Sequence, residues 1–219
     1  LIKDYLKLIS KTNIEFVEIG FFTIKKNNNL GLTANINKKF FRNFKIPKKI
    51  KIGIMINVSE LLSFQNFEDL KERLDEIDYK NINFIRLACH LNEYKKIIKF
   101  LKYFKKKNLN VFLNIMQASE IKNEDLNYIS KSIQKYIDIL YFADSFGSLN
   151  ENDVYKLSNK IEKKFYIPYG IHAHDNLGKA LKNSLTSIRF GASWVDGTIL
   201  GMGRGPGNTK LDIISQQTD

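Results

Sequence analysis

Short apolar strand patterns alternate with amphipathic helical patterns along the whole chain, and this alternation restricts the possible folds more than any other feature. The unit recurs about every 25 to 35 residues, which is the length of a strand–helix–strand crossover. Strands that are apolar on both faces are typical of a parallel sheet with helices on its outer face. The seven predicted strands are 14–21, 51–56, 82–88, 111–116, 137–143, 166–172 and 193–199. Helical patterns lie between them, for example at 92–106.

Two α/β folds are compatible with this order. A closed TIM (β/α)8 barrel needs eight strands, because a seven-stranded barrel would leave an open edge. The sequence therefore predicts a TIM barrel whose first strand precedes Leu1, so that residues 1–219 form a single, incomplete domain. A doubly wound open sheet is the alternative, and the absence of a Rossmann glycine signature after the first strand argues against it.

Charge and cysteine content narrow the functional classes. The net charge of +12 comes mainly from lysines, densest in "KYFKKK" at 102–107. With few arginines and no nucleic-acid motif, the pattern favours a solvated helix face over a nucleic-acid surface. The single cysteine, Cys89, excludes an intrachain disulfide and indicates a cytoplasmic location. No apolar run reaches the roughly 18 residues of a membrane span.

Polar residues interrupt the predicted strands near their carboxyl ends, where the active sites of parallel barrels lie. Burying so many polar groups in an ordinary core would be unfavourable, so the pattern predicts a site. The residues are Glu18, Asn57, Arg86, Asn114, Asp144, Ser145, His172, His174 and Asp196.

Two of the three histidines lie in one short stretch, "GIHAHDNLG". Residues i and i+2 of a strand share a face, so His172 and His174 are predicted to project side by side and could share a divalent cation. The structural alternative is one histidine in the core and the other at the surface. The loop "GMGRGPGN" at 201–208 has four alternating glycines. They would allow the backbone to approach a ligand closely, and the alternative is a plain turn.

Together, "GIHAHDNLG", the glycine loop and the earlier "FVEIGF", "KIGIMIN", "FIRLA" and "LYFADSFGS" resemble the DRE-TIM metallolyase, or HMG-CoA lyase-like, superfamily. The resemblance covers the whole chain and is strongest to members of the 4-hydroxy-2-oxovalerate aldolase type. It implies a catalytic domain in which His172 and His174 bind Mn2+ or Mg2+ rather than Zn2+, with Asn208 as a further ligand.

The resemblance also implies substrate and catalytic roles. His172, Ser145 and Asn114 would contact the substrate. Glu18 and Arg86 would be catalytic, although a structural ion pair between those two residues is the alternative.

One departure from the family pattern is large. The Arg-Asp pair that ends the family's first strand is absent from this sequence, and its Asp would be the remaining metal ligand. His90, the third histidine, follows a different strand and is not assigned to catalysis. We therefore expect either an excerpt of a longer enzyme or a protein without catalysis, and the open barrel edge favours the excerpt.

The activity implied is cleavage or formation of a carbon–carbon bond in a 4-hydroxy-2-oxo acid. The alternatives are a Claisen condensation, as in the isopropylmalate and homocitrate synthases, and a non-catalytic barrel module. The expected partners are a small 2-oxo acid substrate and either further copies of the chain or a dehydrogenase.

Overall fold

The computed structural model describes residues 2–25, 31–43 and 45–218, and in them parallel strands alternate with helices in the predicted order. The strands are β1 (Phe16–Phe21), β2 (Lys51–Asn57), β3 (Phe84–Cys89), β4 (Asn110–Ile115), β5 (Ile139–Asp144), β6 (Tyr169–Ala173) and β7 (Trp194–Val195). The α-helices are α1 (Ile2–Ile9), α2 (Val58–Leu62), α3 (Phe67–Leu74), α4 (Ile98–Lys105), α5 (Asn123–Tyr128), α6 (Glu151–Glu162), α7 (Ala180–Arg189) and α8 (Leu211–Ile214). Each of the seven predicted strands is therefore found.

The chain divides into two compact units. The first comprises residues 1–88 and 95–112, and the second comprises residues 89–94 and 113–219. The description of the chain as one domain stays a prediction.

In the first unit, β1, β2 and β3 are parallel and lie side by side in chain order. One face carries a cluster of aromatic rings, in which Phe84 and Phe112 stack with 4.6 Å between their centroids and Phe16 lies 5.9 Å from Phe84. A side chain on Gly53 would collide with the Phe84 ring, since an added Cβ would lie 2.0 Å from it. Glycine at this position of β2 therefore makes room for the aromatic cluster.

The other face of β2 is formed by isoleucines with no exposed surface, Ile52, Ile54 and Ile56. Alternate residues of a strand project to opposite faces, so β2 is buried on both. A strand that is buried on both faces fits the continuous apolar pattern by which it was predicted.

In the second unit, β5, β6 and β7 are likewise parallel. The register pairs Ala143 with His172 and Ile171 with Val195. Ile171 and Ala173 are buried, at 4% and 1% exposure, on the opposite face from His172. This register therefore aligns the polar ends of the three strands.

The predicted last strand, 193–199, is much shorter in the structure, where β7 spans only Trp194–Val195. Beyond Ala173, His174 forms an antiparallel bridge with Asn208, so the glycine loop pairs with the chain just after β6. Beyond β7, the chain also leaves the extended conformation, since Leu200 has a φ of 54°. The apolar pattern of 193–199 could not reveal that the glycine loop, and not a longer β7, pairs with the chain at His174.

The helix predicted at 92–106 is also shorter as an α-helix. Tyr94–Lys96 form a 3₁₀ turn, and the α-helix begins at Ile98. No helix in the described ranges has the length and apolar character needed to cross a membrane.

Candidate active site

His172 and His174 lie side by side at the carboxyl end of β6, as their spacing predicted. Their Nε2 atoms are 3.2 Å apart, and their ring planes are inclined at 73°. Both side chains are partly buried in the second unit. The alternative, with one histidine in the core and the other at the surface, does not describe this arrangement.

Asp196 fixes the orientation of the first imidazole. Its Oδ2 lies 2.8 Å from Nδ1 of His172. A carboxylate at Nδ1 favours the tautomer that has its proton on Nδ1, which leaves Nε2 with a lone pair directed toward His174. Metal-binding histidines usually have such a carboxylate on their second nitrogen.

Sequence reasoning placed Asp196 at a strand end but gave it no role. The register of β6 and β7 pairs Ile171 with Val195, so His172 and Asp196 are the next residues on each strand. An assumed register for the two adjacent strands could therefore have indicated this contact.

Burial lowers the pKa of His174, and the neighbouring His172 and Arg204 lower it further. The shift favours the neutral imidazole. Only the neutral form has the lone pair that binds a cation.

The two imidazoles fit a divalent cation. Metal–nitrogen bonds of about 2.0–2.1 Å, meeting at about 90–110°, separate two ligand nitrogens by about 2.9–3.4 Å, which includes the observed 3.2 Å. Among residues 2–25, 31–43 and 45–218, however, no three or more His, Cys, Asp or Glu side chains are grouped to hold a metal. The pair is thus a partial ligand set, and its metal-binding role stays a prediction.

The glycine loop brings Asn208 next to the histidines. Asn208 bridges to His174, and Asp175 N–H donates to the Gly207 carbonyl at 3.0 Å. A Cβ on Gly207, whose φ is +96°, would lie 2.1 Å from the Gly201 carbonyl oxygen. The loop therefore requires glycine at position 207 for its approach to β6. The Asn208 amide donates to the Met202 carbonyl at 3.3 Å, and its role as a metal ligand stays a prediction.

Ser145 follows β5 at a tight turn that Asp144 stabilises. The Asp144 carboxylate is 1% exposed and accepts hydrogen bonds from the backbone N–H groups of Ser148 and Leu149. Burial raises the pKa of Asp144, and these backbone donors oppose the shift. The Ser145 Oγ accepts from the Gln117 N–H at 3.1 Å, so its own hydrogen can still be donated to a ligand.

Asn114, predicted to contact the substrate, is buried at 4% exposure in β4. Its Oδ1 has no hydrogen-bond partner within the described part of the chain. A buried carbonyl oxygen that accepts no hydrogen bond is unfavourable. A ligand that donates a hydrogen bond to Asn114 would be compatible with this arrangement.

Glu18 and Arg86 lie in the first unit and form an ion pair, with 2.9 Å between Glu18 Oε2 and Arg86 Nε. Arg86 is 4% exposed. The structural ion pair that was the alternative reading of these residues is therefore present. Their catalytic role stays a prediction.

The family model described as HMGL-like matches residues 9–217. The chain belongs to the HMGL-like family.

Two curated relatives of this HMGL-like chain are named 4-hydroxy-2-oxovalerate aldolase. The one from Geobacillus genomosp. 3 is 31% identical over 145 residues, which is 66% of this chain and 43% of the relative. The one from Brevibacillus brevis is 27% identical over 170 residues, which is 77% of this chain and 48% of the relative. The chain thus spans less than half the length of these two proteins.

Solved structures confirm the fold of the HMGL-like chain. The N-terminal domain of a proposed aldolase from Bacteroides vulgatus superposes with a TM-score of 0.86 at 29% identity, over 99% of this chain and 71% of that one. HMG-CoA lyase from Bacillus subtilis superposes with a TM-score of 0.77 at 16% identity, over 98% of this chain and 76% of that one. These similarities confirm the predicted TIM-barrel class over the doubly wound alternative.

Proposed function

We propose that the protein is a divalent-metal-dependent lyase that cleaves or forms a carbon–carbon bond of a 4-hydroxy-2-oxo acid. The observation that carries the proposal is the pair of Nε2 atoms 3.2 Å apart, with Asp196 on the other nitrogen of His172, in a chain of the HMGL-like family. The names of the relatives support the aldolase reaction over other lyase reactions.

His172 and His174 would hold the cation, which is expected to be Mn2+ or Mg2+. When bound, the cation would supply Lewis-acid polarisation of the 2-oxo group and stabilise negative charge on its oxygen. Asp196 keeps the first imidazole in the binding tautomer. The partly buried setting of the histidines reduces competition from water.

Ser145 would orient the substrate. Its Oγ accepts one hydrogen bond from Gln117, which fixes the oxygen and leaves the hydroxyl hydrogen to donate to a substrate oxygen. Ser145 directly follows Asp144, and Asp144 pairs with Ala173, the residue between the two histidines. A substrate oxygen could therefore contact Ser145 while the histidine pair holds the cation.

The metal assignment is tested by Mn2+ binding to the full-length protein. His172→Ala is expected to abolish stoichiometric binding in isothermal titration calorimetry. His90→Ala, which removes the histidine outside the pair, is the matched control and should bind Mn2+ as the wild type does. Retention of wild-type affinity by His172→Ala would contradict the assignment.

The reaction is tested with a panel of 4-hydroxy-2-oxo acids and Mn2+. Release of pyruvate without turnover of acetyl-CoA and a 2-oxo acid supports the aldolase. The opposite result supports the Claisen condensation of the synthase branch, and no turnover in either assay supports a non-catalytic module. The cytoplasmic location, and assembly with copies of itself or with a dehydrogenase, stay predictions.

A further inference from the structure

A row of polar groups in the second unit continues from the histidine pair across the carboxyl ends of neighbouring strands. Ser145 directly follows Asp144, whose partner in the register is Ala173, between the two histidines. The Ser145 Oγ accepts from Gln117 N–H, which follows β4. The Gln117 Oε1 lies 3.3 Å from Nδ1 of His90, which follows β3. Gln117 thus links Ser145, next to the strand residue that pairs with Ala173, to His90.

Gln117 has an unusual backbone conformation, with φ 62° and ψ 44° in the left-handed region. A residue with a Cβ is disfavoured there, and such residues are frequent at ligand sites. The hydrogen bond to Ser145 Oγ holds the Gln117 N–H in this position. The left-handed turn directs the side-chain amide toward His90 and Glu120, with the Nε2 donating to Glu120 Oε2 at 3.3 Å.

The backbone N–H and one ring nitrogen of His90 have hydrogen-bond partners, and the other ring nitrogen has none within the described part of the chain. Its N–H donates to Glu93 Oε2 at 2.9 Å, and Nδ1 faces Gln117. Its Nε2 has no hydrogen-bond partner in residues 2–25, 31–43 and 45–218, and the residue is exposed. The ring therefore presents one polar nitrogen that is available to a ligand.

Asn114, three residues before Gln117, contributes a polar group that is buried. Its Oδ1 is buried and lacks a donor within the described residues. A hydroxyl group supplies the missing donor, whereas a methyl group in the same place would leave the oxygen unsatisfied. An imidazole nitrogen, an amide and a buried carbonyl oxygen together suit a hydroxylated ligand better than an alkyl one.

We propose that His90, Gln117 and Asn114 form a subsite for the distal part of the substrate and select a hydroxylated 4-hydroxy-2-oxo acid over an alkyl one. This inference rests on the proposed lyase function and names its substrate class. In 4,5-dihydroxy-2-oxopentanoate, the C3–C4 bond breaks and the 4-hydroxyl loses its proton. C4 becomes the carbonyl carbon of glycolaldehyde, and C3 takes up a proton to give pyruvate.

The test compares two substrates of equal size with the full-length protein and Mn2+. 4,5-Dihydroxy-2-oxopentanoate has a hydroxyl where 4-hydroxy-2-oxohexanoate has a methyl group. The wild type is expected to have the higher kcat/KM for the dihydroxy acid. Gln117→Gly should lower that kcat/KM by roughly 3- to 10-fold, the equivalent of one neutral hydrogen bond, and leave the hexanoate value unchanged.

Gln117→Gly is suitable because glycine adopts the left-handed conformation freely, so the fold should be retained. Asn108→Gly is the matched control, since Asn108 is an exposed residue with a φ of 57°. That control relieves the same backbone strain and should leave both kcat/KM values unchanged. Equal losses on the two substrates, or no loss on the dihydroxy acid, would overturn the subsite.

Saturation-transfer NMR tests the subsite without turnover. In the presence of Mg2+ and pyruvate, glycolaldehyde should give a signal that is reduced in Gln117→Gly, and propanal should give a weaker signal that is not. Equal signals from the two aldehydes would contradict the subsite even if the enzyme is a lyase. Absence of pyruvate release from every acid, with selective glycolaldehyde binding, would instead contradict the lyase function alone.

Discussion

Replacing Arg73 by methionine is expected to lower the free energy of unfolding by about 3 kcal/mol. The Arg73 guanidinium is 8% exposed and holds the segment after β1. Its Nε donates to the Ile24 carbonyl at 3.0 Å, and its Nη2 donates to the Thr23 carbonyl at 2.6 Å and to Asn35 Oδ1 at 2.8 Å. Its Nη1 also pairs with the partly exposed carboxylate of Glu76, three residues along the chain. Methionine keeps the unbranched stem and removes all four hydrogen bonds.

The magnitude follows from these bonds. Hydrogen bonds to a charged group contribute about 1.5–3 kcal/mol each when isolated. The three bonds to the segment after β1 share one guanidinium and contribute less, about 1 kcal/mol each, and the bond to the partly exposed Glu76 contributes little. The cation–π contact of Arg73 with Phe22, at 4.2 Å from the ring centroid, adds to this total. For a chain of this size, 3 kcal/mol corresponds to a fall in Tm of about 6–12 °C.

Urea unfolding followed by circular dichroism measures the effect. Lys71→Met is the matched control on the same helix, because Lys71 is 47% exposed and its ion-pair partner Glu68 is exposed too. That control should change the free energy of unfolding by less than about 0.5 kcal/mol. A difference between the two variants below about 1 kcal/mol would refute the assignment of Arg73 as the residue that anchors this segment.

Three further predictions concern single side chains. Asp196→Ala should weaken Mn2+ binding about 10- to 100-fold in isothermal titration calorimetry without unfolding the protein, because it removes the carboxylate that orients an imidazole; unchanged affinity would argue against that role. Burial raises the pKa of the Cys89 thiol well above its usual range, so Cys89 should react with Ellman's reagent only after denaturation, and rapid reaction of the native protein would show the thiol to be accessible. The hydrogen bond from Lys107 holds the pKa of the Asp75 carboxyl below its usual range, so its stabilisation should be present at neutral pH and lost as the pH falls through the folded-state pKa. Asp75→Asn should therefore destabilise by no more than about 0.5 kcal/mol at pH 7 and have no effect in strong acid, as checked by urea unfolding at both pH values.

The strand order could be predicted because a strand buried on both faces has a continuous apolar pattern. Ile52, Ile54 and Ile56 of β2 show this pattern and are fully buried. The end of β7 could not be predicted, since Asn208, distant along the chain, takes the pairing position beside His174. Strand ends depend on such partners, whereas strand existence depends on local composition.

In the candidate site, too, some contacts can be predicted from local sequence and others depend on residues distant along the chain. The side-by-side histidines follow from the two-residue period of a strand, so their spacing alone predicted them. The contact of Asp196 depends on strand register, and the contact of Gln117 with Ser145 depends on a left-handed turn. Glutamine has no preference for the left-handed conformation, so the sequence around Gln117 does not indicate this turn.

The glycine loop has a consequence for how this scaffold can acquire new substrates. Gly201, Gly205 and Gly207 have φ values of +71°, +62° and +96°, and a methyl group on Gly207 would strike the Gly201 carbonyl. Such a loop has little freedom to mutate, and neither has the histidine pair if it holds one cation as proposed. Variation in specificity is then left to side chains on the neighbouring loops, such as His90 and Gln117, whose replacement leaves both the loop and the pair intact. For the proposed lyase, those two positions are the first to vary in a search for a new aldehyde product.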